Sequence, residues 1–158
     1  MKLAKLFQRN INTIFEVERT NKELEEILAR FKALLNILDS VSISIKFGKK
    51  AKRTLGSVRL KGESSIIYIT KYMVDYSVPD YVIEEVILHE LIHIKTGYGS
   101  IMQKTSRHAH RGGVIKKEML EIGKSNIYEL SQIWIKKNWY SHIKNFNKKE
   151  KQLLKKII

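Results

Sequence analysis

The chain has 158 residues, a formal net charge of +14 and no cysteine. Its length suits one domain with its own hydrophobic core, and the lack of cysteine excludes disulfides, thiolate metal sites and catalytic thiols. Any metal must therefore be held by histidine, aspartate or glutamate, while the excess of positive charge favours a polyanionic partner, nucleic acid above all.

No apolar run reaches the roughly 18 residues that a membrane-spanning helix needs. The apolar positions near the N-terminus are interrupted by Lys5, Gln8 and Arg9, so they form no signal-peptide core. We therefore expect a protein without a membrane span that resides in the cytoplasm, where its charge is compatible with association with the nucleoid.

Residues 3–38 carry apolar side chains at helical spacing, with an interruption near Thr20 and Asn21. Repeats of three and four residues are typical of helices that pack one face on a core. The pattern therefore predicts two N-terminal helices within residues 1–38.

The spacing then changes to strict alternation. Apolar residues from Val41 to Phe47 alternate with polar ones, which is typical of a half-buried strand. The segments LGSVRLKG and SSIIYIT predict two more strands, joined by a turn that begins at Gly62. Together they predict a three-stranded sheet within residues 41–70, antiparallel at least in its hairpin.

A helix is predicted to follow the sheet, because Ser77 and Asp80 resemble a capping box and Pro79 suits a first turn. Gly97 is a natural end for this helix. Two further helices are predicted after a glycine-rich loop, at residues 114–123 and from residue 127 to about residue 146.

The predicted helix before Gly97 contains the segment HELIH, which places His89, Glu90 and His93 together. Positions i and i+4 lie about one turn apart on the same face of an α-helix, so both imidazoles can reach one metal ion. Glu90 is rotated by about 100° from His89 and is suited to accept a proton from a metal-bound water. The spacing therefore predicts a zinc site with Glu90 as its general base.

A catalytic zinc ion takes three protein ligands and leaves one position for water. The candidates for the third ligand are two loop histidines, His108 and His110, and two glutamates of the next predicted helix, Glu118 and Glu121. Spacing alone does not choose among them.

The order of these features resembles the SprT-like (Spartan-related) zinc metalloprotease family. The hairpin LGSVRLKGESSIIYIT is followed by the HELIH helix, and then by a loop that ends in a histidine and opens another helix. Val114 and Met119 follow His110 at spacings similar to the family pattern. The resemblance covers Leu55 to Met119 and favours His110 over His108.

This resemblance implies a zincin-like α+β domain that binds Zn²⁺ through His89, His93 and His110. It also implies an endopeptidase, with Glu90 as its catalytic residue, that cleaves proteins bound to or crosslinked with DNA, as in the repair of DNA-protein crosslinks. The partners that follow are a protein substrate and DNA, either single-stranded or duplex.

We expect the whole chain to form a single domain of this type. Its predicted parts are N-terminal helices (1–38), the sheet (41–70), the zinc-site helices and loop (78–123), and a basic C-terminal helical segment (127–158).

Basic side chains between residues 46 and 61 are not opposed by any acid. Such a cluster neutralises phosphates without reading a base sequence. The predicted nucleic-acid-binding residues are Lys46, Lys49, Lys50, Lys52, Arg53, Arg59 and Lys61. A second lysine-rich stretch, residues 136–156, contains aromatic residues that suit either base stacking or core packing.

Two other functions are compatible with the sequence. One is a small gluzincin-type metallopeptidase in which Glu118 or Glu121 is the third ligand. The other is a non-enzymatic nucleic-acid-binding domain whose histidines hold a structural metal, which a fourth protein ligand would indicate.

Overall fold

The structure is a computed structural model that describes residues 18–104, 110 and 113–158. The first of the two predicted N-terminal helices and the candidate ligand His108 lie outside the described residues. In chain order the described elements are helix α1 (Asn21–Leu34), strands β1 (Ile43–Phe47), β2 (Gly56–Lys61) and β3 (Ser64–Ile69), a 3₁₀ turn (Lys71–Met73), and helices α2 (Asp80–Lys95), α3 (Val114–Glu121) and α4 (Ser125–Ile157).

The sheet is mixed, with the strand order β1-β3-β2. Strands β2 and β3 form the predicted antiparallel hairpin, with Val58 opposite Ile67. Strand β1 pairs in parallel with β3, so that Ile45 also lies opposite Ile67. The predicted α+β class with a three-stranded sheet is thus confirmed, and β2 is an edge strand that contacts α2.

Helix α1 begins at Asn21, where the sequence predicts an interruption. The Thr20 hydroxyl accepts a hydrogen bond from the Glu23 backbone N–H at 3.3 Å, which satisfies one of the free N–H groups of the first turn. Leu24 and Phe31 on the inner face are fully or almost fully buried. This face packs α1 against β1 and α2.

Helix α2 is buried around most of its circumference. It packs against α1, α3, α4 and two strands of the sheet, and an all-round apolar helix is typical of a protein interior. Its buried apolar residues are Val82, Ile83, Val86, Ile87, Leu88, Leu91, Ile92 and Ile94. The polar side chains of HELIH are therefore carried by a helix that is buried on most sides.

The start of α2 differs from the predicted capping box. The N-cap residue is Pro79, which makes no side-chain capping bond. The Ser77 backbone N–H instead donates to Asp75 Oδ1 at 2.8 Å, and the Ser77 hydroxyl lies 3.2 Å from Nδ1 of His142. The prediction of a Ser77 cap was wrong because tertiary contacts with α4 take up that side chain.

A buried arginine orders the segment that leads into α2. The Arg19 guanidinium donates to the carbonyls of Met73, Asp75 and Val78 and forms an ion pair with Asp80 at 2.7 Å. Its five donors suit such a cluster of oxygens. Arg19 thereby replaces the missing side-chain cap as the anchor of this helix start.

The end of α2 agrees with the prediction. Gly97 follows the helix with a φ of +92°, a conformation that side-chain-bearing residues rarely adopt. The backbone N–H of Tyr98 donates to the His93 carbonyl at 2.8 Å, as in a glycine-terminated helix end. A Cβ on Gly97 would also lie 2.5 Å from the Lys104 backbone nitrogen.

Helix α4 runs without a break from Ser125 to Ile157, so the helix predicted to end at about residue 146 and the rest of the predicted helical segment 127–158 are one element. The segment contains neither glycine nor proline, so nothing in it stops a helix near Phe146. Trp139 is buried and donates its Nε1–H to the Lys52 carbonyl at 2.7 Å. Core packing, one of the two alternatives for the aromatic residues of this stretch, therefore applies to Trp139.

None of the described helices combines the length and the apolar character that crossing a membrane requires. The expectation of one domain over residues 1–158 includes the N-terminal residues outside the description, so it stays a prediction.

Candidate active site

Three histidine side chains meet at the surface of α2. His89 and His93 lie one turn apart on the helix, with ring centroids 4.8 Å apart. His110 comes from the loop before α3, and its Nε2 lies 3.2 Å from Nε2 of His89 and 3.0 Å from Nε2 of His93. The structure thus brings together the three histidines that the family resemblance implies as metal ligands.

Two of the three nitrogen–nitrogen separations in this cluster, those that involve His110, approach the value of a tetrahedral metal site. The ligand nitrogens of the cluster all lie within 4.8 Å of one another. Zinc–nitrogen bonds of 2.0–2.1 Å in a tetrahedron require nitrogens about 3.3–3.4 Å apart, close to the separations of His110 from its two neighbours. Three neutral nitrogens facing one point repel one another unless a cation or a proton lies between them. The donor set therefore suits zinc, with a fourth position left for water.

Glu90 lies beside the cluster in the same cavity, which has a volume of about 400 Å³. Its side chain is held by β2, because Gly56 leaves room for it. A Cβ on Gly56 would lie 2.9 Å from Cγ of Glu90 and 2.8 Å from Cγ1 of Val86. Glycine at this position allows the edge strand to approach α2 closely, and this contact places the carboxyl group.

Burial sets the proton affinities at this site. Burial raises the pKa of Glu90 to about 7, although the positive charge of His89 opposes this. Burial lowers the pKa of His93 to about 4, and the neighbouring charges of His89 and His110 add to that effect. Near neutral pH, His93 is therefore unprotonated, the form that binds a metal.

A second carboxylate lies behind His89 and was not identified from the sequence. Glu85 is only 3% exposed, and its Oε1 lies 3.8 Å from Nδ1 of His89. Ser131 of α4 donates to its other oxygen at 3.3 Å, while Oε1 has no hydrogen-bond partner among the described residues. Burial lowers the pKa of His89, but the contacts with Glu85 and Glu90 outweigh it and leave that pKa raised.

The two glutamate candidates lie apart from the cluster. Glu118 forms an ion pair with Lys95 at 2.8 Å, and Glu121 is exposed. Neither belongs to the three-histidine cluster, which is the group of potential metal ligands found among the described residues. The geometry therefore favours His110 over both glutamates.

The predicted basic patch is divided among several surfaces. Lys46 and Arg59 lie beside Tyr68 on the outer face of the sheet, and Lys49 lines the same groove. Arg53 instead lines the cavity of the three histidines.

The remaining basic residues of the patch have separate surroundings. Lys50 forms an ion pair with Glu150 of α4, and Lys52 lines a cavity beside that helix. Lys61 is exposed at the end of β2. The seven residues therefore do not form one continuous surface.

Comparison with protein families matches residues 20–137 to the SprT-like family. Among curated proteins no significant match was found. Among solved structures, the chain is similar to the metallopeptidase zymogen jannalysin of Methanocaldococcus jannaschii. The identity is 24%, 70% of this chain and 91% of that chain are covered, and the TM-score is 0.46. The family match includes α2, His110 and the sheet.

Proposed function

Because the chain belongs to the SprT-like family, we propose that it is a zinc-dependent endopeptidase that cleaves proteins bound to or crosslinked with DNA. The family assignment confirms the resemblance inferred from the sequence and, with it, the metallopeptidase class. The choice of zinc, the roles of individual residues and the DNA-associated substrate are the proposal.

The convergence of His89, His93 and His110 beside a buried carboxylate supports the proposal most strongly. A structural zinc site has four protein ligands and no open position. Here three imidazoles face an open cavity that Glu90 also lines. This arrangement favours catalysis over a purely structural metal.

A zinc ion held by the three imidazoles would lower the pKa of a bound water toward about 7 and would polarise the scissile carbonyl. Glu90 is the chain's own contribution to proton transfer: it accepts the proton of the attacking water and then delivers it to the leaving amine. In the metal-free protein, burial raises the pKa of Glu90 to about 7. A bound cation would lower this pKa again and favour the charged carboxylate, which is the form that accepts the proton.

The DNA-associated part of the proposal is supported by charge. The net charge of +14 attracts polyanions regardless of their sequence. Arg53 extends this positive charge into the cavity of Glu90, so a polyanion near the active site meets a favourable potential. We propose that the protein works in the cytoplasm, beside the nucleoid, on proteins held on DNA.

Zinc content and cleavage of casein test the enzymatic part. We expect Glu90→Gln to retain zinc and to lose at least about 100-fold in cleavage rate, whereas His110→Ala loses zinc. Glu121→Gln is the matched control, because it removes an exposed carboxylate and should retain both zinc and activity. Equal cleavage by Glu90→Gln and the unmodified protein would contradict the mechanism.

The same variants test the two alternative functions. Loss of zinc in Glu121→Gln or Glu118→Gln, with zinc retained in His110→Ala, would favour a gluzincin-type site. Tightly held zinc without any cleavage of casein or histones would favour a structural metal. The substrate class is tested with histones, whose cleavage should accelerate when DNA is added while cleavage of casein does not.

A further inference from the structure

The sheet has an outer face, defined here by Lys46, Tyr68 and Arg59, that turns away from the core. Lys46 of β1 and Ser57 of β2 both lie opposite Tyr68 of β3 in the pairing register. Residues opposite one another on neighbouring strands share a face of the sheet. The inner face is apolar and carries Ile67, so the outer face brings an aromatic ring and two cations together.

The ring of Tyr68 is held in place on this face. Lys46 Nζ lies 5.4 Å and Arg59 Cζ 5.6 Å from the centre of the ring. A Cβ on Gly48 would lie 3.3 Å from Cβ and 3.4 Å from Cδ1 of Tyr68, so the glycine allows the ring to rest against the backbone. The result is a partly exposed aromatic side chain with an exposed cation on either neighbouring strand.

The groove around Tyr68 has a volume of about 670 Å³ and includes Lys49 in its lining. In the described part of the chain, neither Lys49 nor the two cations of the outer face takes part in an ion pair. Their charge is therefore available to an external anion. Thr54 lines both this groove and the cavity of the three histidines, so the two surfaces adjoin.

We propose that the outer face binds an unpaired stretch of nucleic acid, with one base stacked on Tyr68 and the adjoining phosphates on Lys46, Lys49 and Arg59. This inference rests on the proposed function and names the surface that holds the DNA. Aromatic stacking combined with basic side chains is the usual way in which proteins hold single strands without reading their sequence. Both cations sit on exposed side chains, which can move from the ring to phosphates.

Because Thr54 lines both cavities, the groove around Tyr68 lies next to the catalytic cavity. Nucleic acid in the groove would keep a protein attached to it next to the cavity of Glu90, without occupying that cavity. Holding a substrate near the catalytic group raises its local concentration. The groove would therefore direct cleavage to proteins carried by the same strand.

Helix α4 offers a competing surface, where Lys144 and Lys148 line a cavity of about 550 Å³ with the exposed Tyr140. This cavity shares no lining residue with that of the three histidines. A strand bound there would have no direct continuation into the catalytic cavity. The outer face is therefore the better position for a nucleic acid that delivers substrate.

The test measures binding of a fluorescent oligothymidylate of about 20 nucleotides, and of a duplex of the same length, by anisotropy at several salt concentrations. We expect Tyr68→Leu to weaken single-strand binding by roughly 5- to 100-fold, while Tyr68→Phe retains it. The double variant Lys46→Gln/Arg59→Gln should reduce the magnitude of the slope of log K against log salt concentration by about 1.4, the value for two phosphates of a single strand. Because Lys46 and Arg59 are exposed, this double variant should fold normally and tests the surface even if Tyr68→Leu has a folding defect.

The matched control is Lys144→Gln/Lys148→Gln, which removes the same charge from α4. It should reduce the magnitude of the single-strand salt slope less than the outer-face pair does. Equal losses from both pairs, or tighter binding of the duplex than of the single strand, would overturn the proposal. Casein cleavage without DNA should be unchanged in all these variants. A protein that cleaves casein but binds no oligonucleotide would refute the DNA-associated function itself, whereas binding that only the α4 pair lowers would refute the outer face alone.

Discussion

Oε1 of Glu85 lies 3.8 Å from Nδ1 of His89, on the edge of the imidazole opposite the nitrogen that faces His110. At this distance the carboxylate makes no hydrogen bond, but its negative charge attracts the imidazole and increases the basicity of a metal-binding histidine. Glu85 is a positioning residue in this sense, since it acts on the site through His89. Ser131 fixes its other oxygen from α4, which links the site to the longest helix.

We therefore predict that Glu85→Gln weakens zinc binding by roughly 10- to 100-fold. The glutamine keeps the size of the side chain but removes the charge that favours the Nδ1–H form of His89. Competition with a chromogenic chelator measures the affinity directly, without reference to catalysis. Glu84→Gln is the control, because Glu84 pairs with Arg30 at the surface, and equal zinc affinities of the two variants would rule out this role for Glu85.

A second prediction concerns the contact between Gly56 and Glu90. Gly56→Ala places a methyl group 2.8–2.9 Å from Val86 and Glu90, so the carboxyl group must move or β2 must shift outward. Because displacements of this size disturb catalytic alignment strongly, we expect kcat to fall by about 10-fold or more while zinc content stays the same. Metal analysis and casein cleavage of the same sample separate the two effects.

Ser57→Ala is the control for this variant, since Ser57 is the next residue of β2 and faces the other side of the sheet. Loss of zinc in Gly56→Ala, or undiminished kcat, would show that β2 does not position Glu90.

Patterns local in sequence predicted most of the fold and the core of the site. The four-residue separation of His89 and His93 places both imidazoles on one face of any α-helix, and glycine at position 97 ends that helix for reasons of backbone conformation alone. The hairpin followed similarly from alternation and a turn. Such features depend on neighbours within a few residues, so one sequence suffices to read them.

The remaining features depend on contacts between distant segments. No pattern of neighbouring residues indicates the parallel pairing of β1 with β3. The contact of Gly56 with Glu90 arises only when β2 has packed against α2. Glu85 could have been noticed, because an acid one turn before His89 shares its helix face. The basic patch separated because most of its residues lie in the loop between β1 and β2, where contacts with α4 and with the histidine cavity send them in different directions. A run of charges in sequence therefore does not define one surface.

A third prediction concerns Arg19, which serves the start of α2 from outside the site. Replacing it with methionine leaves the carbonyls of Met73, Asp75 and Val78 without their donor in a buried setting. We expect the free energy of unfolding to fall by about 3 kcal/mol, since each unsatisfied buried group costs about 1–3 kcal/mol and some regain water. Urea denaturation measures this change.

Arg30→Met provides the comparison, because Arg30 is a partly exposed arginine whose ion pair with Glu84 lies at the surface. Such pairs contribute about 0–1 kcal/mol. A loss in Arg19→Met no larger than in Arg30→Met would contradict the role of Arg19 as an anchor.

The last prediction follows from the raised pKa of Glu90, about 7 in the folded metal-free protein against an ordinary value of 4.5. Between these two values the folded state binds the proton more tightly than the unfolded state does. The stability that protonation of Glu90 contributes is therefore fully present below about pH 4.5 and is lost as the pH rises through about 7. Burying the charged form above that pH costs on the order of 3 kcal/mol.

Glu90→Gln removes this titration and keeps the shape of the side chain. In urea denaturation of metal-free proteins, the stability of the variant relative to the unmodified protein should therefore rise between about pH 5 and pH 8 by a few kcal/mol. Other titrating groups, His93 among them, largely cancel because both proteins contain them. Zinc should reduce the difference, because a cation beside Glu90 favours its charged form. A stability difference that is the same at both pH values would show that Glu90 is not desolvated in the folded protein, and the raised pKa of this carboxyl group would have to be abandoned.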